Sequence, residues 1–582
     1  MIQSLNPANG KLLRSFDPLT PEALNAKLAI AASAAKTYPK ETLDQRMFWM
    51  RRLAALLEAD SEELATTMTS EMGKTLVSAR AEIARCASVC RYYADNAGRF
   101  LAPERIVNEH SDSPEQKDSP EQKDCYVRYD PLGTILAVMP WNFPFWQVFR
   151  FLAPALMAGN IGLLKHASNV PQCALAIEAL VRRAGFPRGV FQTLLIEARQ
   201  VEHLLNDPRV VAVTLTGSEA AGRAVAAQAG WLVKKSVLEL GGSDPFIVLS
   251  SANLDAAVSN AVKARCINNG QSCIAAKRFL VHESIYTEFE KRFVAGMADL
   301  RIGDPMLETT DIGPLATPQI LEELLQQVTL ARESGGRVLT GGSRAFVEDG
   351  NLGNYFQPTV IAGVMRNSAI SQEEIFGPVA LLFRITSLDE AIALANDTPF
   401  GLAASCWTTD DTERQRLAVE LQCGAVFFNT PAASDPRLPF GGIKHSGYGR
   451  ELSAVGMREF LNTKTVVIAE LPAETYPTPP AKSEVTPTSE PPAEPRSDKP
   501  SEFQHIADQI RKFEPTKTSS PTTEPSPLAP LAAPLQPEPT SAEPVLAEPP
   551  SSEPDPNQLK PLEPKKDDDT PPSNDGSMLH LG

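Results

Sequence analysis

Residues 133–140 read GTILAVMP, an apolar run of the kind that forms a strand buried on both faces. Two more such runs lie further on, IGLLKHA at 161–167 and VVAVTLTG at 210–217. Between them, PQCALAIEALVRRAG at 171–185 spaces its apolar residues as a helix does. Strands alternating with helices predict a parallel α/β sheet, and with it a dinucleotide-binding fold.

The usual glycine signature of such folds is missing, because the third strand leads into TGSEAAGR instead of GxGxxG. Gly217 still permits a tight strand-to-helix turn. Ser218 and the helix start behind it still offer free N–H groups and a positive dipole end to a pyrophosphate. A purely structural turn of this composition is common, so the string alone does not decide.

Before these strands, residues 21 to about 105 are helical in pattern, with LAIAASAAKTY, RMFWMRRLAALLEAD and SARAEIARCASVCRYYADNAGRF. A polar unit, DSPEQK, then occurs twice in succession at 112–123 and reads as a lengthened surface loop. From residue 471 the composition changes. Residues 471–582 hold 26 of the 50 prolines and carry 19 acidic against 9 basic side chains, so about −10 of the formal net charge of −16 lies there. Such a stretch buries too little apolar surface to offset its ordering entropy and is expected to be a disordered acidic tail. Within it, Phe503, Ile506, Ile510 and Phe513 stand at helical spacing, which fits either a helix that docks on a protein partner or a chance apolar cluster.

The eight cysteines are scattered without paired or metal-ligand spacing, so disulfides and metal are both disfavoured. The N-terminus lacks a basic segment followed by an apolar one, and no run reaches the roughly 18 apolar residues of a membrane span. The expected location is the cytoplasm, with no membrane partner, and the acidic balance argues against nucleic acid.

One cysteine stands apart. NNGQSCIAAKR at 268–278 puts Cys273 between a glycine-containing turn and a small-residue run that looks able to start a helix. A lone cysteine is most often a small core hydrophobe and becomes a candidate nucleophile only with partners elsewhere.

Those partners come as a set: PWNFP at 140–144, LELGG at 238–242, GQSC at 270–273, EEIFGP at 373–378 and PFGGIKHSGYGRE at 439–451. Five strings in this order resemble the aldehyde dehydrogenase superfamily, over essentially residues 1–470. The resemblance implies Cys273 as nucleophile, Asn142 with the Cys273 backbone N–H as oxyanion donors, and Glu239 as the base for hydrolysis of a thioester. It implies a cofactor site built from Trp141, Lys165, Ser168, Gly217, Ser218, Leu240, Glu374 and Phe376. It also implies two α/β domains, a Rossmann-like cofactor domain over 1–240 and a catalytic domain over 241–431. A small β oligomerisation arm would use residues near 109–131, with its remainder and the C-terminal core in 432–470, in a homodimer or homotetramer.

Within that family the succinate-semialdehyde dehydrogenases are the nearest in pattern. They place an arginine nine residues beyond the tryptophan of PWNFP, to bind the substrate's distal carboxylate. Arg150 holds that offset, in FWQVFRFL, where an arginine among apolar residues needs an anion. Ser434 is implied as a further donor to the carboxylate. The second arginine of that subfamily, six residues before the cysteine, is Ile267 here, with Arg265 two residues earlier. This departure leaves glutarate semialdehyde or an uncharged aldehyde open. Ser168 stands where NAD-preferring members commonly carry glutamate, so NADP is expected to be preferred, with NAD also used; the same serine suits a helix N-cap. A scaffold protein on an old enzyme core and a CoA-acylating enzyme are the competing classes. The presence of Asn142, Glu239 and Cys273 together argues against the first, and Glu239, which suits hydrolysis, against the second.

Overall fold

The computed structural model describes residues 1–106, 122–347 and 353–469. Most of the duplicated DSPEQK segment, and the acidic region from residue 471 with its apolar 503–513 stretch, lie outside the described residues.

After a hairpin of Ile2–Leu5 against Leu12–Phe16, four helices run Pro21–Thr37, Leu43–Ala59, Ser61–Met72 and Leu76–Leu101. Threonine oxygens at 20, 42 and 75 accept the backbone N–H three residues on and so start three of them. The last two helices also anchor the starts of two others. Glu71 accepts the backbone N–H groups of Gln172 (3.0 Å) and Cys173 (2.9 Å), at the start of the helix Pro171–Ala184. Glu82 accepts those of Phe145 and Trp146, both at 2.9 Å, where the helix Trp146–Ala158 begins. A carboxylate is well placed at a helix N-terminus, where N–H groups lack intrahelical acceptors and the dipole is positive. Glu82 is paired in turn with the fully buried Lys74, whose ammonium lies 4.1 Å from the centre of the Phe143 ring.

A six-stranded sheet runs Gly447–Tyr448, Lys235–Glu239, Ala212–Thr216, Thr134–Met139, Ile161–His166, Phe191–Thr193, parallel throughout except for the first pair. The three runs read from the sequence are its adjacent central strands. A seven-stranded sheet runs Arg337–Thr340, Thr359–Ala362, Val379–Ile385, Arg278–His282, Pro245–Val248, Ala403–Trp407, Ala425–Phe428, again antiparallel only at the first pair. A third sheet pairs Leu461–Ala469 with Gln122–Pro131, and that strand with Glu104–Arg105.

Two local expectations fail. No helix starts after Cys273: a turn comes next and the strand Arg278–His282 begins. In a helix the carbonyls of Ser272 and Cys273 would accept from the backbones of Ala276 and Lys277. Instead Ala276 donates to Ala264 O and Lys277 to Asp244 O, while the Lys277 ammonium takes the two carbonyls at 2.9 and 2.5 Å. Nor is Ser168 a helix cap, because the helix begins at Pro171 after Val170, and the carboxylate of Glu71 supplies the cap from outside.

Candidate active site

Cys273 sits at the end of an unusual backbone run. Asn268, Asn269 and Gly270 all adopt the left-handed conformation, with φ of 55°, 58° and 76°. Asparagine tolerates this region better than most residues, and a Cβ on Gly270 would stand 2.3 Å from the Gly377 carbonyl carbon. The turn is clamped from several sides. Asn269 donates to Gly73 O and Pro314 O and accepts from Gly313 N, while Asn268 Nδ2 donates to Asn142 O (2.7 Å) and Gln271 O (3.0 Å). Arg265, fully buried, donates to Gly270 O and Val379 O. It braces the turn from inside, and Ile267 takes the partly exposed position nearby.

Beside the thiol opens a cavity of about 330 Å³. Trp141 and Asn142 reach it from the loop after Thr134–Met139, and Gly217 and Ser218 from the loop after Ala212–Thr216. Leu240 directly succeeds the strand Lys235–Glu239, so three neighbouring parallel strands deliver their C-terminal loops to one place, where α/β sheets bind ligands. Glu374 and Phe376 close the opposite wall. The rings of Trp141 and Phe376 meet edge to face at 5.7 Å. Ser218 caps the helix Glu219–Trp231 by accepting from Ala221 N. Lys165 and Ser168 lie one strand over, at the end of Ile161–His166 and just beyond it, and do not line this cavity. Ser168 is exposed, and Lys165 is nearly buried, which lowers its pKa.

The cavity suits the nicotinamide and phosphate part of a dinucleotide. Thr216 Oγ1 is buried there without a protein partner, and the helix start capped by Ser218 faces it. A Cβ on Gly241 would lie 2.4 Å from Glu374 Oε2, so only glycine leaves that carboxylate its place. Glu374 Oε1 accepts the Gly242 N–H at 3.0 Å and lies 3.6 Å from the Lys277 ammonium.

On the other side of the thiol, Glu239 is buried with Arg150 and Glu451. Arg150 Nε is 2.7 Å from Glu451 Oε2, and Nη2 is 3.9 Å from Glu239 Oε2. Burial pushes Glu239 up to about 8, against the pull of Arg150 and with a contribution from the like charge of Glu451. Burial also pushes the Cys273 thiol up to about 12, opposed by Arg150 and Lys277. A Cβ on Gly441, whose φ is 152°, would stand 2.8 Å from Glu239 Oε1. Asn142 Nδ2 spends one N–H on Gln271 O at 3.1 Å and retains a second.

The expectation that Arg150 stands free for a substrate is therefore modified. It is buried, as its apolar neighbours demand, but the chain itself supplies anions to it. Ser434 is buried too, its Oγ accepting from Trp146 Nε1 at 3.1 Å.

Residues 1–466 match the aldehyde dehydrogenase family. The chain belongs to that family. This aldehyde dehydrogenase is 52% identical over 468 residues to succinate-semialdehyde dehydrogenase [NADP(+)] 1 of Mycobacterium tuberculosis, covering 80% of this chain and 100% of the relative. It is 51% identical over 468 residues to a probable succinate-semialdehyde dehydrogenase [NADP(+)] of Synechocystis, with the same coverage. Among solved structures it is similar to the succinic semialdehyde dehydrogenase of Streptococcus pyogenes in complex with NADP+. That match has a TM-score of 0.76 and 36% identity, over 81% of this chain and 100% of that one.

Sequence reasoning passed over three charged residues that the fold of this dehydrogenase brings in. Glu451 closes the string PFGGIKHSGYGRE, but nothing in that string gives it a role. Lys277 stands four residues after Cys273, and its only sequence signal is a cation in an apolar stretch entering a strand. Arg85, whose Nη2 donates to Ser434 O at 2.9 Å, has no signal in the sequence at all.

Proposed function

We propose that this chain oxidises succinate semialdehyde to succinate, with NADP preferred over NAD. The observation that carries the reaction type is the convergence of Asn142, Cys273 and Glu374 on one cavity, with Glu239 buried behind it. The substrate and the cofactor preference rest on relatives that bear those names across all of their length.

The Cys273 thiol loses its proton, with Glu239 the nearby acceptor, and the sulfur adds to the aldehyde carbon. The developing oxyanion is held by the spare N–H of Asn142 and the Cys273 backbone N–H, each worth about 3 kcal/mol in such sites. The nicotinamide supplies the hydride acceptor when bound, and Glu374 and Phe376 hold its ribose and ring side. Glu239, after passing the thiol proton to solvent, takes a proton from water as the hydroxide adds to the thioester carbon; the acid leaves, and the departing thiolate takes that proton to restore the thiol. Ionised Glu239 is needed, and with a pKa pushed up to about 8 it is half ionised there, so the hydrolytic step should quicken through neutral pH and level off only about one unit above that value.

Ser168 carries no charge and is exposed, and Lys165 stands at the end of the strand before it, a pair that suits a 2′-phosphate. Homodimers or homotetramers built through the Leu461–Ala469 and Gln122–Pro131 arm belong to the same proposal.

The test is turnover of succinate semialdehyde with NADP or NAD and no CoA, followed by absorbance of the reduced cofactor. Activity without CoA is expected, greater with NADP. Absence of turnover overturns the reaction, and a several-fold preference for NAD overturns the cofactor reading.

A further inference from the structure

The seven-stranded sheet meets the active site with the amino ends of its strands. Cys273 comes just before Arg278–His282, and Glu374 and Phe376 come just before Val379–Ile385. Parallel α/β sheets characteristically bind ligands at the opposite, carboxyl ends, in the crevice where neighbouring strands send the chain to opposite faces. The aldehyde reaction leaves that end of this sheet unused.

The crevice is there. After Arg278–His282 the chain enters the helix Glu283–Ala298, whose Tyr286, Phe289 and Phe293 pack with Phe279 and Val281 on one face. After the adjacent strand Val379–Ile385 it enters the helix Leu388–Asn396, whose Ala391 and Ile392 pack with Leu381 and Phe383 on the other. At this end opens a cavity of about 510 Å³, and Arg337, Arg366 and Arg384 line it together with Tyr286 and Glu290.

Strand register brings the cations together. Arg337 pairs with Ala362, and Ala362 with Leu382, and partners across strands point to the same face. Arg384, two residues beyond Leu382, points there too. Arg337 and Arg384 thus share a face with their backbones about 10 Å apart, two strand spacings, and the strand between them contributes the small side chain of Ala362. Two arginine side chains can close that gap on one small anion. Arg384 is steadied by the Tyr286 ring, with 4.2 Å from guanidinium to ring centre. Arg366 is oriented by its ion pair with Glu390 and by donating from Nη2 to Arg384 O at 2.6 Å. Among the described residues neither Arg337 nor Arg384 has a carboxylate within ion-pair distance, and the carboxylate that lines the cavity, Glu290, is engaged by the Tyr286 hydroxyl. Gathered cations without counter-ions repel one another, and a bound anion removes that repulsion. Planar guanidinium groups match phosphate oxygens two at a time.

We propose that Arg337 and Arg384, with Arg366 beside them, bind a small phosphate-bearing anion at the carboxyl end of the seven-stranded sheet, a second ligand site at the end opposite to the reaction.

The test is isothermal titration calorimetry of the full chain with inorganic pyrophosphate, at fixed ionic strength and with the cofactor site already filled by NADP, so that the phosphate position near Ser218 is taken. Saturable binding is expected, with a Kd below about 1 mM. Arg337→Gln and Arg384→Gln should each weaken it by about 10-fold or more, the range for one lost charged hydrogen bond. Both side chains are exposed, so thermal melts without pyrophosphate should match that of the native chain. Absence of saturable binding to the native chain overturns the site, and so does native affinity in both variants. Should Arg384→Gln unsettle Tyr286, Arg337→Gln decides alone, because Arg337 has no ring contact or ion pair among the described residues to lose.

Discussion

Two buried charge clusters flank Cys273, and they are built differently. On the cofactor side, Lys277, Glu374 and Asp244 are tied by directed hydrogen bonds. The ammonium holds the carbonyls of Ser272 and Cys273, Glu374 accepts from Gly242, and Asp244 Oδ1 accepts from Ala403 N at 3.1 Å. On the other side, Arg150 approaches Glu239 and Glu451 closely, yet none of the four carboxylate oxygens makes a well-directed hydrogen bond with the described residues. A carboxylate that accepts from a backbone N–H is held in one orientation. One that is buried, near a cation and still open can take and release a proton. The first cluster shapes the thiol's loop, and the second is left free to move protons.

The sharpest attempt to break this contrast is Glu239→Gln. It removes the base and keeps the volume, so a pre-steady-state burst of reduced cofactor should survive while steady turnover falls by about 10²- to 10⁴-fold. Equal loss of both phases would assign Glu239 some other task.

Next is Lys277→Met. It leaves the half-buried Glu374 without its cation and two loop carbonyls without their donor, at a cost of about 1–3 kcal/mol in stability. A thermal melt should show a fall of several degrees, together with weaker cofactor binding. A variant as stable as the native chain would mean that the loop does not depend on this ammonium.

Ser168→Glu tests a position outside both clusters. Bringing a carboxylate to the edge near Lys165 should lower the NADP-to-NAD preference by about 10- to 100-fold, as expected for one like-charge contact near a partly solvated phosphate. The ratio of kcat/KM with the two cofactors reads it directly, and an unmoved ratio removes Ser168 from the site.

The smallest effect expected is that of Glu451→Gln. Losing the like charge lowers the pKa of Glu239 from its raised value of about 8, and Arg150, now facing one carboxylate, pulls the same way. Because the base works ionised, the rising limb of the kcat profile should move to lower pH, by about one unit. A limb that stays in place, or moves to higher pH, would show the two glutamates to be uncoupled.

Much of the fold and site was legible in the residues alone. The strands at 134–139, 161–166 and 212–216 are apolar runs whose pattern survives in any context that buries both faces. Asn142, Glu239, Cys273 and Glu374 each sit in a short string whose local backbone serves one purpose. Gly241 and Gly270 are there because a side chain would collide with Glu374 or with Gly377. What could not be read is where a long side chain goes. Arg150 showed its need for an anion through its apolar neighbours, but not that Glu451 would answer it. Cys273 looked like the start of a helix, because nothing local says that Lys277 will fold its ammonium back onto the carbonyls that a helix requires.

The sequence by itself therefore determined the strands of the six-stranded sheet's centre and the order of the loops at their ends, since periodicity and backbone conformation are properties of neighbours in the chain. Only the tertiary structure decided which charges share a dielectric pocket. The pairing of Arg150 with Glu451, of Lys277 with Glu374 and of Arg85 with Trp146 joins distant segments. Such contacts depend on distance and burial, which no local pattern of residues records.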